Sequence, residues 1–102
     1  MLHVIATIEL VEGKREAFLA EFRQLVPLVR QEAGCLEYGP AVDLAPGIAA
    51  QAPPRANVVV VVEKWASLEA LQAHLQAPHM VAYRPRVKDL VVRASLQILQ
   101  PA

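Results

Sequence analysis

Cysteine, glycine and aromatic residues are scarce in this chain of 102 residues, and neither sign of charge is in surplus. The single cysteine, Cys35, excludes an internal disulfide and any metal site built from several thiolates. The 10 basic side chains balance the 10 acidic ones, whereas a nucleic-acid-binding domain normally carries a basic excess. We therefore expect no nucleic-acid partner.

Long hydrophobic runs are also missing. The longest apolar run, 58–62, is far shorter than the ~20 residues that cross a bilayer, and the N-terminus has no signal-peptide pattern. We expect a cytoplasmic protein that does not insert into membranes. The length predicts a single domain over 1–102.

Hydrophobic residues, in contrast, are abundant and make up 55% of the chain. Ordinary soluble domains contain ~45–50% by a count that includes glycine and leaves out tyrosine. By that count the share in this chain is higher still, because glycines outnumber tyrosines. A chain this short buries only roughly two-thirds of its unfolded surface by itself. We therefore expect part of the apolar surplus to lie in the interface of a homodimer.

The spacing of apolar residues predicts four strands and three helices. Alternation predicts strands over 2–11, 35–44, 57–64 and 91–99, the second of them an edge strand with a bulge at Gly39 and Pro40. Helical spacing predicts helices over 14–32, from Ser67 to Pro78, and over about 79–90. The order βαββαβ predicts a ferredoxin-like α+β domain with helices on one face of an antiparallel sheet.

The five valines at 58–62 make their strand apolar on both faces. Helices in this topology cover only one face of the sheet, and a strand that is apolar on both needs cover on both. The simplest second cover is the sheet of another subunit.

Two histidines near Pro78 are the candidate bases. His74 and His79 are five residues apart, which is not the i, i+4 spacing of two metal ligands on a helix, so we expect no metal. A neutral imidazole suits base catalysis near pH 7, although each histidine could equally be a satisfied core or capping residue. We favour His79, which follows Pro78 at a helix start, where the helix dipole opposes a positive charge.

Other polar and aromatic residues are candidates for structural or supporting roles. Tyr38 is expected to face the helices, so its hydroxyl needs a partner or a ligand. Trp65, the only tryptophan, fills the core or forms an aromatic wall. Glu63 and Asp43 are expected to be ionised and therefore weaker bases than the histidines. Cys35 has no basic sequence neighbour, which favours a structural role.

Several segments together resemble the antibiotic biosynthesis monooxygenase-like family of small dimeric α+β barrels. The segments that carry this likeness are 18–22, Glu-Ala-Gly-Cys-Leu at 32–36, Glu-Lys-Trp at 63–65 and Ala-His-Leu-Gln-Ala-Pro-His-Met at 73–80. Within that family the chain is most similar to bacterial quinol (menadiol) monooxygenases. That likeness rests on Tyr-Gly-Pro at 38–40, Val-Asp at 42–43 and Ile-Leu-Gln-Pro at 98–101.

The resemblance implies a cofactor-independent monooxygenase that oxidises a quinol or related polycyclic aromatic compound with molecular oxygen. The substrate would lie in a cleft between sheet and helices, with His79 or His74 as the base. Tyr38 and Tyr83 would donate hydrogen bonds, and Trp65 would form a wall. Haem degradation is disfavoured, because the positions that match the haem relatives' functional residues carry other residue types.

Two other functions remain open at this point. One is a dimer that binds a small aromatic ligand such as a quinone without catalysis, because fold and cleft alone do not separate binding from chemistry. The other is an isomerase of a small phosphorylated metabolite. That activity would need an anion clamp, for which Arg84 and Arg86 are the candidates, and Arg84 is also a candidate substrate-binding residue.

Overall fold

A computed structural model describes all residues of the chain, 1–102. The strands are β1 (Leu2–Leu10), β2 (Cys35–Ala41), β3 (Val58–Trp65) and β4 (Val91–Leu99). The helices are α1 (Arg15–Arg30), α2 (Leu68–Leu75) and α3 (Pro78–Val87), and a 3₁₀ turn (Lys88–Leu90) precedes β4. The predicted order is confirmed. None of the helices has the length and apolar character that a bilayer crossing requires.

The four strands form one antiparallel sheet in the order β2-β3-β1-β4. This order and the helices on one face confirm the predicted ferredoxin-like fold. Residues two apart in a strand share a face, and Val59 and Val61 are buried under the helices while Val62 on the opposite face is 42% exposed. The sheet therefore has one covered and one open face.

The core forms where α1 lies on the sheet. Phe18, Phe22, Leu25 and Val29 follow the spacing of one helical face, and all four are buried. Phe22 stacks on Tyr38 of β2, with ring centroids 5.6 Å apart. This contact fixes the tyrosine ring between the helix and the sheet.

Strand β2 begins at residue 35 as predicted but differs from the sequence prediction in its end and in the place of its irregularity. It ends at Ala41 rather than at residue 44, and its irregularity lies between Cys35 and Glu37 rather than at Gly39 and Pro40. The extra residue turns Leu36 outward, to 53% exposure, while Tyr38 is buried. Alternation along 35–44 predicts that Leu36 and Tyr38 share a face, and this prediction is wrong. Tyr38 does lie on the helical face, and β2 is an edge strand, as predicted.

The turn between α1 and β2 lies directly against α2. Gly34 has φ +82°, and a Cβ built there would lie 2.6 Å from the Cβ of Ala70. Only glycine combines this backbone conformation with such a close approach. The contact holds the end of α1, with Glu32, beside α2.

Strand β4 carries apolar side chains that no helix covers. Leu96 and Ile98 pair with Ala6 and Val4 of β1, which are buried on the helical face. Directly paired residues share a face, yet Leu96 is 53% exposed and Ile98 47% exposed. The helices therefore stop short of β4 and leave an apolar strip, which we call the β4 strip, at the edge of the sheet.

Candidate active site

The inward face of β3 ends in a carboxylate and an indole. Alternation along the strand buries Val59, Val61, Glu63 and Trp65 on the same side. Glu63 is 6% exposed and Trp65 is fully buried. The indole Nε1 of Trp65 donates a hydrogen bond to Oε1 of Glu63 over 2.9 Å. The strand thus places an acidic group inside the core with one oxygen held in position.

Helix α2 presents His74 to this pair. Ser67 caps the helix by accepting a hydrogen bond from the Ala70 amide, so the helix starts at a defined position. His74 then faces the sheet and is 2% exposed. Its ring centroid lies 4.6 Å from that of Trp65 and 5.4 Å from that of Tyr38. The imidazole is therefore held between two aromatic side chains.

Glu32, which follows the C-terminal end of α1, joins both histidines. Its Oε2 is 2.9 Å from Nδ1 of His74 and 2.6 Å from Nε2 of His79. A carboxylate has no hydrogen to donate, so both imidazoles donate to it. A neutral His74 then carries its proton on Nδ1 and leaves Nε2 free to accept one.

Burial changes the acid and base strengths of this cluster. It raises the pKa of Glu63 to about 7, with a further contribution from the negative charge of Glu32, while the Trp65 hydrogen bond acts in the opposite direction. Burial lowers the pKa of His74, opposed by its bond to Glu32. Burial and the Glu63 charge raise the pKa of Tyr38, which keeps its hydroxyl protonated.

Five polar atoms of the cluster make no hydrogen bond within the chain: Oε1 of Glu32, the hydroxyl of Tyr38, Oε2 of Glu63, Nε2 of His74 and Nδ1 of His79. Every fully buried side-chain nitrogen or oxygen has a partner, so these atoms retain accessible surface. They are the groups that a bound molecule would meet. A groove of about 570 Å³ along β2 has Tyr38, but neither His74 nor Glu63, in its lining. The side chain of His79 is 23% exposed and connects the cluster to solvent.

Two other residues singled out in the sequence lie next to the cluster without a hydrogen bond to it: Tyr38 and Tyr83 both pack against Phe22, and the charge of Arg84 acts on His74. The Tyr83 ring packs edge-on against Phe18 and Phe22, with centroids 6.5 and 5.9 Å away. Arg84 donates to the carbonyl oxygen of Leu75 over 2.5 Å, at the end of α2. The structure thus brings His74, His79, Tyr38 and Trp65 together.

An anion clamp is not formed by the two arginines. Arg84 is occupied at the end of α2, and Arg86 pairs with Glu21 over 3.2 Å. The isomerase alternative therefore gains no support. No group of three or more His, Cys, Asp or Glu side chains has an arrangement that could hold a metal ion.

The sequence reasoning missed two carboxylates. The expectation that Glu63 is ionised like Asp43 is wrong for Glu63, because burial raises its pKa to about 7. Asp43 is half-buried and paired with Arg55, and that hydrogen bond lowers its pKa to about 2. The alternation with Trp65 could have placed Glu63 in the core, whereas nothing in the pattern near Glu32 indicated its role.

Comparison with known proteins assigns the family. The model for "Antibiotic biosynthesis monooxygenase" matches residues 1–86. The chain belongs to this family. The resemblance noted in the sequence is thereby confirmed, and with it the assignment as a monooxygenase.

Relatives in the family cover nearly the whole chain. "Probable quinol monooxygenase YgiN" from Escherichia coli K12 is 44% identical over 103 aligned positions, which span 99% of this chain and 98% of the relative. The structure of PA3566 from Pseudomonas aeruginosa is 28% identical, with TM-score 0.82 over 99% of this chain and 93% of that one. Rv0793 from Mycobacterium tuberculosis is 27% identical, with TM-score 0.79 over 99% and 94%.

Proposed function

We propose that the protein is a cofactor-independent monooxygenase that oxidises a quinol with molecular oxygen. The observation that carries the proposal is His74, whose Nδ1 is bonded to Glu32 and whose Nε2 is free, in a ring held between Tyr38 and Trp65. The likeness to a relative named as a probable quinol monooxygenase supports the substrate class.

The protein has to form the quinol anion and exclude water. Ground-state oxygen reacts slowly with closed-shell molecules, but an electron-rich quinolate can transfer one electron to it. Nε2 of His74 accepts the hydroxyl proton, and Glu32 stabilises the imidazolium that forms. Tyr38 donates a hydrogen bond to the quinolate, and Trp65 holds the imidazole in place. The overall reaction converts one hydroquinone and one O₂ into one hydroxyquinone and one water.

His79 has a different role from His74 in this proposal. The sequence ranks it first as the base, whereas the free Nε2 inside the cluster supports His74. Because His79 donates to the same Glu32 oxygen over 2.6 Å, it holds that carboxylate against His74. We assign it the positioning of Glu32 and keep direct proton transfer by His79 as the alternative.

Oxygen uptake by the purified protein tests the function. We expect anaerobically prepared naphthoquinols, mixed with air-saturated buffer, to be converted to hydroxyquinones faster with protein than without it. The catalysed rate should scale with protein concentration. A protein that binds the quinone but leaves the uncatalysed oxidation rate unchanged would be a binding module, and the proposed activity would be wrong.

We further propose that the working form is a homodimer. The chain exposes 6487 Å², whereas a folded monomer of 11.2 kDa exposes about 5700 Å². A standard interface removes about 800 Å² from each partner, which is close to this excess. The β4 strip and the open valine face of β3 are the apolar surfaces available for it.

Light scattering over a dilution series should show twice the chain mass of 11.2 kDa. Replacing Leu96 of the β4 strip by Asp should shift the protein towards monomer, because a charge would be buried in the interface. Leu28→Asp is the control, since Leu28 is 48% exposed on α1. A wild-type monomer at all concentrations contradicts the dimer, and a dimeric Leu96→Asp variant removes the β4 strip from the interface.

A further inference from the structure

Glu63 is the one buried acid in the cluster that the quinol deprotonation does not use. Resting on the proposed function, we propose that Glu63 donates the proton with which the second oxygen atom of O₂ leaves as water. This assigns Glu63 the role of a catalytic acid, distinct from the role of His74 as the base.

The hydrogen bonds of Glu63 decide which of its oxygens carries the proton. Trp65 donates to Oε1, so Oε1 acts as an acceptor and the acid proton resides on Oε2. Oε2 has no partner within the chain and retains accessible surface. Glu63 and Tyr38 are directly paired across β3 and β2, so their side chains lie next to each other on the same face of the sheet. The donor oxygen therefore belongs to a side chain on the face of the sheet where the substrate would meet Tyr38.

The environments of the acid and the base differ in the way that the chemistry requires. Burial lowers the pKa of His74, so its imidazole is neutral and can accept a proton near pH 7. Burial raises the pKa of Glu63 to about 7, so a large fraction of it keeps its proton there. Pairs of titratable groups whose pKa values are pushed apart are typical of acid and base assignments in active sites.

The proton balance closes with these two groups. His74 takes the quinol hydroxyl proton and returns it to the peroxide that forms when O₂ adds to a ring carbon. The O–O bond then breaks as the C–H electrons of that carbon form a C=O bond, and the departing hydroxide takes the Glu63 proton to become water. The released C–H proton restores the Glu63 carboxyl group. Without an acid, the C–O bond to the peroxide can break instead, which releases hydrogen peroxide and leaves the parent quinone. This competing reaction is also balanced.

Product analysis of Glu63→Gln tests the assignment. Glutamine keeps an acceptor for Trp65 but has no acid proton. We expect hydroxyquinone formation to fall by about 10²-fold, with most of the remaining oxygen uptake appearing as hydrogen peroxide. Glu69→Gln, on the exposed side of α2, is the matched control and should give the wild-type product ratio.

The wild-type protein provides a second measurement that requires no variant to fold. Its peroxide share should rise as pH increases through about 7, where Glu63 loses its proton. A peroxide share that is constant from pH 5 to pH 9, or a Glu63→Gln variant with the wild-type product ratio, overturns the role of Glu63 and leaves the monooxygenase intact. A wild-type protein that accelerates no quinol oxidation overturns the proposed function and this role with it.

Discussion

Replacement of His74 by alanine is expected to lower quinol oxidation by about 10²–10⁴-fold, the usual range for loss of a general base. The reason is that His74 is the more deeply buried of the two histidines and has a free Nε2, with Glu32 bonded to the opposite nitrogen over 2.9 Å. Steady-state oxygen uptake measures the effect. Added imidazole should restore part of the activity, because the alanine leaves a hole of the right size next to Trp65.

The matched variant is His79→Ala. It should lose less activity than His74→Ala, and imidazole should restore less of it, because His79 acts through Glu32. If His79→Ala is inactive and rescued by imidazole while His74→Ala is active, the roles are reversed, as the sequence alone suggested. If both variants keep the wild-type rate, an apolar pocket that favours autoxidation is the better account.

Glu63→Gln should stabilise the folded protein at alkaline pH and have little effect at acid pH. The pKa of Glu63 is raised from 4.5 to about 7 on folding, so the unfolded chain releases this proton first. The contribution of Glu63 to stability is therefore complete below pH 4.5 and is lost as pH rises to about 7. The wild type should lose about 3 kcal/mol relative to the variant over this range.

Urea unfolding at pH 4.5 and pH 8, at one protein concentration, measures this difference. The concentration must be fixed because dimerisation stabilises the folded state by mass action. Glu69→Gln is again the control. Because the Glu69 side chain is exposed in the folded protein, this substitution should change stability by the same amount at both pH values. Equal stability differences at both pH values would mean that folding does not raise the pKa of Glu63, and the acid role would then have no basis.

The fold was largely predictable because its signals are local. Periods of two and of three to four residues predict each element, and the order βαββαβ restricts the topology. The prediction failed in β2, where the irregularity between Cys35 and Glu37 moves Leu36 to the opposite face. A bulge depends on pairing with β3, and the residues of β2 alone do not specify where the extra residue lies.

The candidate site was predictable only in part. The sequence by itself determined the element order, the buried stripe of α1 and the resemblance that singled out His74 and His79. Only the tertiary structure decided that Glu32 joins them, because Glu32 lies 42 and 47 residues away along the chain. The close approach at Gly34 brings Glu32 next to the two histidines. The acid strength of Glu63 depends on burial by the helices, which the pattern of a strand does not show.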